Sequence, residues 1–345
     1  MRRKSAMVRR LALVVALVMV FAFLAGCRKA PAPAAEQKPQ ETTFKFKYGH
    51  VNAPGSMVYF YSEEFARRVK ELSKGRIEIT VYPNATLGPE ARLLELVNTG
   101  NLDFAATTAM GLGSYVPAVS VLDAAYVFRD PKHQLAFALS EEGKKLLDQV
   151  AEKTNMIVVA NPSYGVRHLT TRDKPVKTPA DLKGLKIRCM DFRQAIENVT
   201  ALGASATPMA FSELYMALQQ KVVDGQENPL NTILASKFYE VQKYLILTGH
   251  VVTNGPIVMS KKSFESLPKD LQDVVLEAGR QTMERTLQEI ETKESEWLRE
   301  LQAKGMTVIT PDVEAFRKRA LEYLPPKMED VWGKGVYEKI ASFGG

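Results

Sequence analysis

Six residues, Leu185 to Met190, alternate in a way that frees one arginine for recognition. Read as a strand, they turn Leu185, Ile187 and Cys189 to one side and Lys186, Arg188 and Met190 to the other, so Arg188 can leave the core. A guanidinium presents paired donors in a fixed fork that matches a carboxylate, which suits capture of an organic acid in a partly dry cleft. By composition alone, a strand arginine is more often a solvated or ion-paired surface residue, so the wider pattern has to decide. Little other chemistry is on offer. There is no nucleophile elbow, no phosphate-cradling glycine loop and no His/Cys/Asp cluster at metal-ligand spacing. Gly111-Leu112-Gly113 lacks the third glycine and the strand-to-helix context of a nucleotide fingerprint. No cofactor, metal or enzymatic activity is expected.

The elements that would position Arg188 alternate between strand-like and helical runs, the pattern of an α/β fold. Phe44 to Tyr48 alternates at period two, and Pro54-Gly55-Ser56 breaks the strand and offers Ser56 as N-cap of a helix to about Leu72. Ile77, Ile79 and Val81 mark a second strand, Pro89 to Asn98 a helix, Asp103 to Ala106 a short strand and Met156 to Ala160 a fuller one. A second unit opens near Gly165 with the strand Val166 to Thr170. Thr178 to Gly184 introduces the Leu185 strand as a short capped helix. Helices follow near Phe192 to Leu202 and Ser212 to Gln220. The runs Leu245 to Val252 and Pro256 to Met259 meet at Asn254-Gly255, a crossing point between units, and about Pro268 to Ala303 forms a long charge-rich helix.

Ahead of this body, Arg2, Arg3, Lys4, Arg9 and Arg10 precede an apolar run from Leu11 to Leu24, the order of a signal peptide. As a helix the run would rise about 21 Å, short of the roughly 30 Å needed to span a bilayer. Leu24-Ala25-Gly26-Cys27 resembles the lipobox of bacterial lipoproteins, implying cleavage before Cys27 and lipidation of its thiol; the other reading is ordinary secretory cleavage with Cys27 left free. Arg28 to Thr42, with Pro31, Pro33 and Pro39, reads as a tether. Five of the 46 basic residues and none of the 39 acidic ones lie in the leader, so the formal +7 shrinks towards neutrality and no nucleic-acid footprint remains. Only Cys189 accompanies Cys27, so no internal disulfide is available to the mature body.

Gly184-Leu185-Lys186-Ile187-Arg188, Pro208-Met209-Ala210-Phe211-Ser212-Glu213, Val223-Asp224-Gly225-Gln226-Glu227-Asn228-Pro229 and Phe238-Tyr239-Glu240-Val241 together resemble the substrate-binding proteins of TRAP transporters, the dicarboxylate-binding type. Gly75 to Ile79, Tyr82-Pro83-Asn84, Leu87-Gly88 and Gly100 to Phe104 match too, and the similarity covers nearly all of Phe44 to Ser342. The resemblance implies a two-lobed, periplasmic-binding-protein-like α/β fold with hinge strands and a long helix bridging both lobes. Lobe I would comprise 44–165 plus 254–293 and lobe II 166–253 plus 294–345, after a signal peptide at 1–26 and a lipid anchor and tether at 27–43.

It further implies a small organic acid as ligand, gripped through its carboxylate by Arg188 and Asn228, with Arg167 either touching the ligand or supporting the residues that do. Phe211, a core aromatic by default, would pack on the ligand. Cys189-Met190 departs from the Val-Pro of many relatives. His50 and Asn52, with Thr107, Thr108 and Met110, would supply specificity from lobe I, although His50 reads equally as a loop histidine without ligand contact. His50 and Pro54 resemble relatives that take sugar acids, pointing to a uronate or similar hydroxy acid; His133, His168 and His250 read as structural or surface residues. The expected partners are TRAP permease subunits, reached by an extracytoplasmic receptor held to the membrane by lipid. A ligand-presenting sensory protein docking on a receptor kinase would share the same cleft.

Overall fold

The computed structural model describes residues 43–344. The expected signal peptide, Cys27 and the expected tether lie outside the described residues.

Alternation turns directly into burial in the first strand, β1 (Phe44–Gly49): Phe46 and Tyr48 are buried while Lys45 and Lys47 are exposed. Ser56 caps helix α1 (Met57–Leu72), its Oγ accepting from the Tyr59 N–H at 3.2 Å. Strand β2 (Ile77–Tyr82) then pairs parallel to β1, with Phe44 opposite Ile77. Helix α2 (Glu90–Asn98) and strand β3 (Phe104–Ala106) complete this βα unit. Phe46, Phe65 and Phe104 meet edge-on at 5.6 to 5.8 Å, the geometry favoured by ring quadrupoles. Helix α3 (Ala109–Leu112), a 3-10 turn over Pro117–Asp123, α4 (Pro131–Leu139) and α5 (Glu141–Lys153) lead to β4 (Met156–Ala160).

The second unit runs β5 (Ser163–Thr171), β6 (Lys186–Cys189), α6 (Arg193–Leu202), β7 (Ser205–Pro208), α7 (Leu214–Gln219), β8 (Gly225–Pro229), α8 (Leu230–Ala235) and β9 (Tyr244–Asn254). The chain then returns to the first sheet as β10 (Ile257–Ser260), followed by α9 (Lys261–Glu265), α10 (Lys269–Ala303), β11 (Thr307–Ile309), α11 (Val313–Trp332) and α12 (Val336–Ala341). Two sheets result, ordered β2-β1-β3-β10-β4 and β11-β9-β5-β8-β6-β7. The chain passes between them after β4, between β9 and β10, and through α10, which starts beside one sheet and delivers β11 to the other.

The β9 to β10 crossing is pinned by buried polar groups. Asn254 donates its backbone N–H to Asp123 Oδ1 at 2.8 Å and accepts from Gln134 Nε2 and Asn161 Nδ2, each at 2.8 Å. Among the described residues no helix is long and apolar enough to cross a membrane. The expected helix over Ser212 to Gln220 starts as a 3-10 turn (Phe211–Glu213) before α7. Helix α11 runs through Pro325-Pro326, a pair that backbone rules read as a stop. Buried Leu324, Met328 and Trp332 hold it against the second unit's core, so packing overrides local preference.

Candidate functional site

A cavity of about 200 Å³ lies between the carboxyl ends of the strands of the two sheets. Asn52, Thr107, Thr108 and Glu90 are among the residues that line it from the first lobe. Arg188, Asn228 and Phe211 line it from the second, together with Tyr164, which stands in β5 of the second sheet although the expected lobe I runs to residue 165.

Arg188 reaches the cavity from β6, whose other face buries Ile187 and Cys189. Strand β7 runs parallel to β6 with Thr207 opposite Arg188, and the Met209 N–H bonds the Cys189 carbonyl at 3.2 Å. That turn folds the Met209 carbonyl over the guanidinium, which donates to it from Nε at 3.2 Å and Nη2 at 2.9 Å. Nη1 is buried and has no partner among the described residues. The guanidinium carbon lies 5.7 Å from the centroid of the Phe211 ring, within cation–π range. Burial lowers the Arg188 pKa to about 10, so the group remains charged at neutral pH. A buried cation with a free N–H in a cavity is arranged to receive an anion.

Arg167 is fully buried but does not line the cavity. Its fork closes on the Glu227 carboxylate, with Nη2 to Oε1 at 2.9 Å, while Nη1 donates to the Tyr164 hydroxyl at 2.8 Å. Nη2 also donates to Asn228 Oδ1 at 3.1 Å. Burial alone would raise the Glu227 pKa; the charge of Arg167 and the hydrogen bond from His250 outweigh it and bring the group to about 2. Asn228, with Oδ1 committed to Arg167 and Nδ2 donating to Gln226 Oε1, presents a fixed amide at the cavity wall.

His50 and Met110 also stand off the lining. His50 is enclosed with Tyr48 and Tyr59 at 6.5 and 6.1 Å, neither ring nitrogen has a partner among the described residues, and burial lowers its pKa to about 4. Met110 gives its backbone N–H to Asp123 Oδ2 at 3.1 Å. His168 and His250 are buried and hydrogen-bonded behind the cavity wall. Glu90, Tyr164 and Asp191 line the cavity although no sequence motif marked them. An acidic residue in a first helical turn is what many helices carry, so Glu90 gave no separate signal. No group of three or more potential metal ligands occurs among the described residues.

Residues 48–329 match the family model described as bacterial extracellular solute-binding protein, family 7. The chain belongs to that family. Its members are extracytoplasmic receptors for transport, and this chain is a solute-binding protein of the TRAP type with their two-lobed α/β fold. A sialic acid-binding periplasmic protein of Vibrio cholerae is 32% identical over 296 residues, 86% of this chain and 92% of that protein. The structure of a TRAP periplasmic solute-binding protein from Polaromonas, bound to D-erythronate, superposes with a TM-score of 0.84 at 30% identity, covering 88% of this chain and 99% of that one. Another, from Sulfurospirillum deleyianum with bound succinate, gives 0.80 at 30% identity, covering 87% and 99%.

Proposed function

We propose that this receptor captures a small organic acid by its carboxylate on Arg188 and hands it to the membrane permease subunits of a TRAP transporter. The observation that carries this reading is the buried Arg188 guanidinium, whose Nη1 has no partner and which forms no salt bridge with a carboxylate among the described residues. Asn228 adds an amide N–H beside it, Phe211 supplies an apolar platform, and Arg167 fixes Asn228 from behind while Glu227 neutralises it. Asn52 and Thr108 meet the rest of the ligand from the other lobe. The relatives' erythronate and sialic acid support a hydroxy or sugar acid, a uronate included. Closure of the lobes on the ligand follows if only the closed form makes both sets of contacts. Lipid on Cys27 would hold the mature receptor to the membrane's outer face. Cys27→Ser should then move it to the soluble fraction, and sedimentation of that variant with membranes would contradict anchoring there.

The direct test is calorimetric titration of the mature protein with a panel of organic acids. At least one should bind, and Arg188→Ala, melting like the parent, should lose about 2–5 kcal/mol of affinity, as expected for stranding a buried carboxylate. A folded Arg188→Ala that binds within a few-fold of the parent removes Arg188 from the site.

A further inference from the structure

The two walls of the cavity differ in hydrogen-bonding sense. On the second-lobe wall the free side-chain groups donate, the exposed Asp191 apart. Arg188 Nη1 is without a partner, Asn228 keeps an amide N–H, and the Tyr164 hydroxyl accepts from Arg167 Nη1 at 2.8 Å, so its own hydrogen can be given.

The first-lobe wall is built the other way. Glu90 opens α2, and its Oε1 accepts from the Thr107 hydroxyl at 2.7 Å, the Thr108 N–H at 2.8 Å and the Thr108 hydroxyl at 3.0 Å. Both threonine hydroxyl hydrogens are thereby spent, and neither can be offered to an acceptor on a ligand without breaking a charge-assisted bond. Among the described residues, no hydrogen bond goes to Oε2 of Glu90. Gly111 permits the arrangement, because a Cβ there would lie 2.6 Å from Thr107 Oγ1 and 2.7 Å from Glu90 Oε1. Among the described residues, Glu90 is the only charged one on the first-lobe lining. The nearby cation Arg92 is exposed and paired with Glu95, and His50 is enclosed away from the cavity. On the opposite wall, Asp191 adds a second negative group.

We propose that Glu90 selects a monocarboxylate bearing hydroxyl groups, an aldonate-like acid, and turns dicarboxylates away. The inference rests on the carboxylate grip by Arg188. With one end of the ligand fixed there, the far end meets a carboxylate that can only accept. A ligand hydroxyl donates to it; a second ligand carboxylate would face it as a like charge. The family alone does not decide between these classes, since one solved relative holds erythronate and another succinate.

Matched acids separate the ideas. Erythronate, galactonate and gluconate would be titrated against meso-tartrate, galactarate and glucarate, each pair sharing its carbon skeleton and differing at one end by a carboxylate. At least one aldonate should bind the parent, and its diacid should bind roughly a hundredfold more weakly or worse. In Glu90→Gln, which keeps an oxygen for the threonines, that gap should close to about tenfold or less. Glu90→Asp, with its charge retained, should keep the diacid excluded. A parent that binds an aldonate and its diacid alike, or a folded Glu90→Gln with the parental gap, overturns the role of Glu90. Binding of succinate with no aldonate bound overturns it too, while leaving the carboxylate grip standing. If no acid binds at all, the grip itself falls and this inference falls with it.

Discussion

Arg167 and Glu227 hold one another across the β5 to β8 pair, and both side chains are almost fully enclosed, at 0% and 5% exposure. The same guanidinium reaches Tyr164 and Asn228, so this ion pair sits directly behind two residues of the cavity wall. Removing one charge leaves the other buried without compensation. Glu227→Gln should therefore lower unfolding stability by about 3–5 kcal/mol, measured by denaturant titration. Because Asn228 Oδ1 accepts from Arg167, ligand affinity should fall in the variant even where it remains folded. A stability within about 0.5 kcal/mol of the parent would mean that the pair is not the anchor it resembles.

Acid should destabilise the fold through imidazoles that are held neutral. Burial lowers His50 to about 4 and His168 to about 3, against an ordinary value of 6.5. Below 6.5 the unfolded chain binds protons that these folded groups refuse. Their contribution is thus complete above 6.5 and is lost as pH falls towards 4 and 3. For His50 the full loss approaches about 3 kcal/mol. Asp123 and Glu294, raised by burial to about 6 and about 7, act in the opposite sense and offset this loss between pH 7 and 4.5, so the test is the difference between parent and variant. Removing His50 removes its share of the loss, so the melting temperature of His50→Gln should rise relative to the parent's as pH is lowered from 7 to 4.5. Parallel profiles would show that His50 does not titrate in this way.

Helix α10 carries Gly279 in its interior, where propensity alone would favour alanine by about 1 kcal/mol. An added Cβ would lie 2.1 Å from the Val159 carbonyl oxygen of β4, so helix and strand would have to separate. Overpacking of that kind typically costs about 1–3 kcal/mol and outweighs the gain. Gly279→Ala should therefore lower the melting temperature, and a rise would show that the contact yields readily.

Much of this frame is legible along the chain because local rules and burial agree. Phe46 and Tyr48 face inward as alternation requires, Ser56 caps α1, and Thr178 and Asp181 form a reciprocal capping box. From Ala109 to Lys153 no elements are expected, although the three α-helices there start at side-chain caps, Thr108, Asp130 and Ser140. Pro131–Leu139 lacks a strong apolar period, since α4 buries His133 and Gln134 beside Phe137; α5 is amphipathic, with Leu147 and Val150 on its buried face, and was legible. At the site, strand parity shows that Arg188 can leave the core, but it does not show what Arg167 meets. Its partner Glu227 lies sixty residues away and reaches it only through the antiparallel register that sets Arg167 opposite Pro229. Gly111 illustrates a second blind spot. It is no part of a nucleotide loop, yet the absence of its Cβ gives Thr107 and Glu90 their room.

The geometry around Arg188 also separates a fork from a charge. Two of its nitrogens are committed to the Met209 carbonyl, and a third, Nη1, is left for the ligand. Lysine has one nitrogen at the end of a flexible stem, so Arg188→Lys must either release the carbonyl or fail to reach the acid. It should bind roughly tenfold to a hundredfold more weakly than the parent, the range for losing a charge-assisted hydrogen bond. Lys186 lies on the same strand but is exposed, so Lys186→Ala should stay within about twofold. Calorimetry on both variants, after matching their melting curves to the parent, distinguishes the cases. If Arg188→Lys binds as the parent does, positive charge alone draws the ligand and the planar fork is dispensable. If Lys186→Ala weakens binding as much as Arg188→Lys, the cavity works through a diffuse field rather than through a built contact.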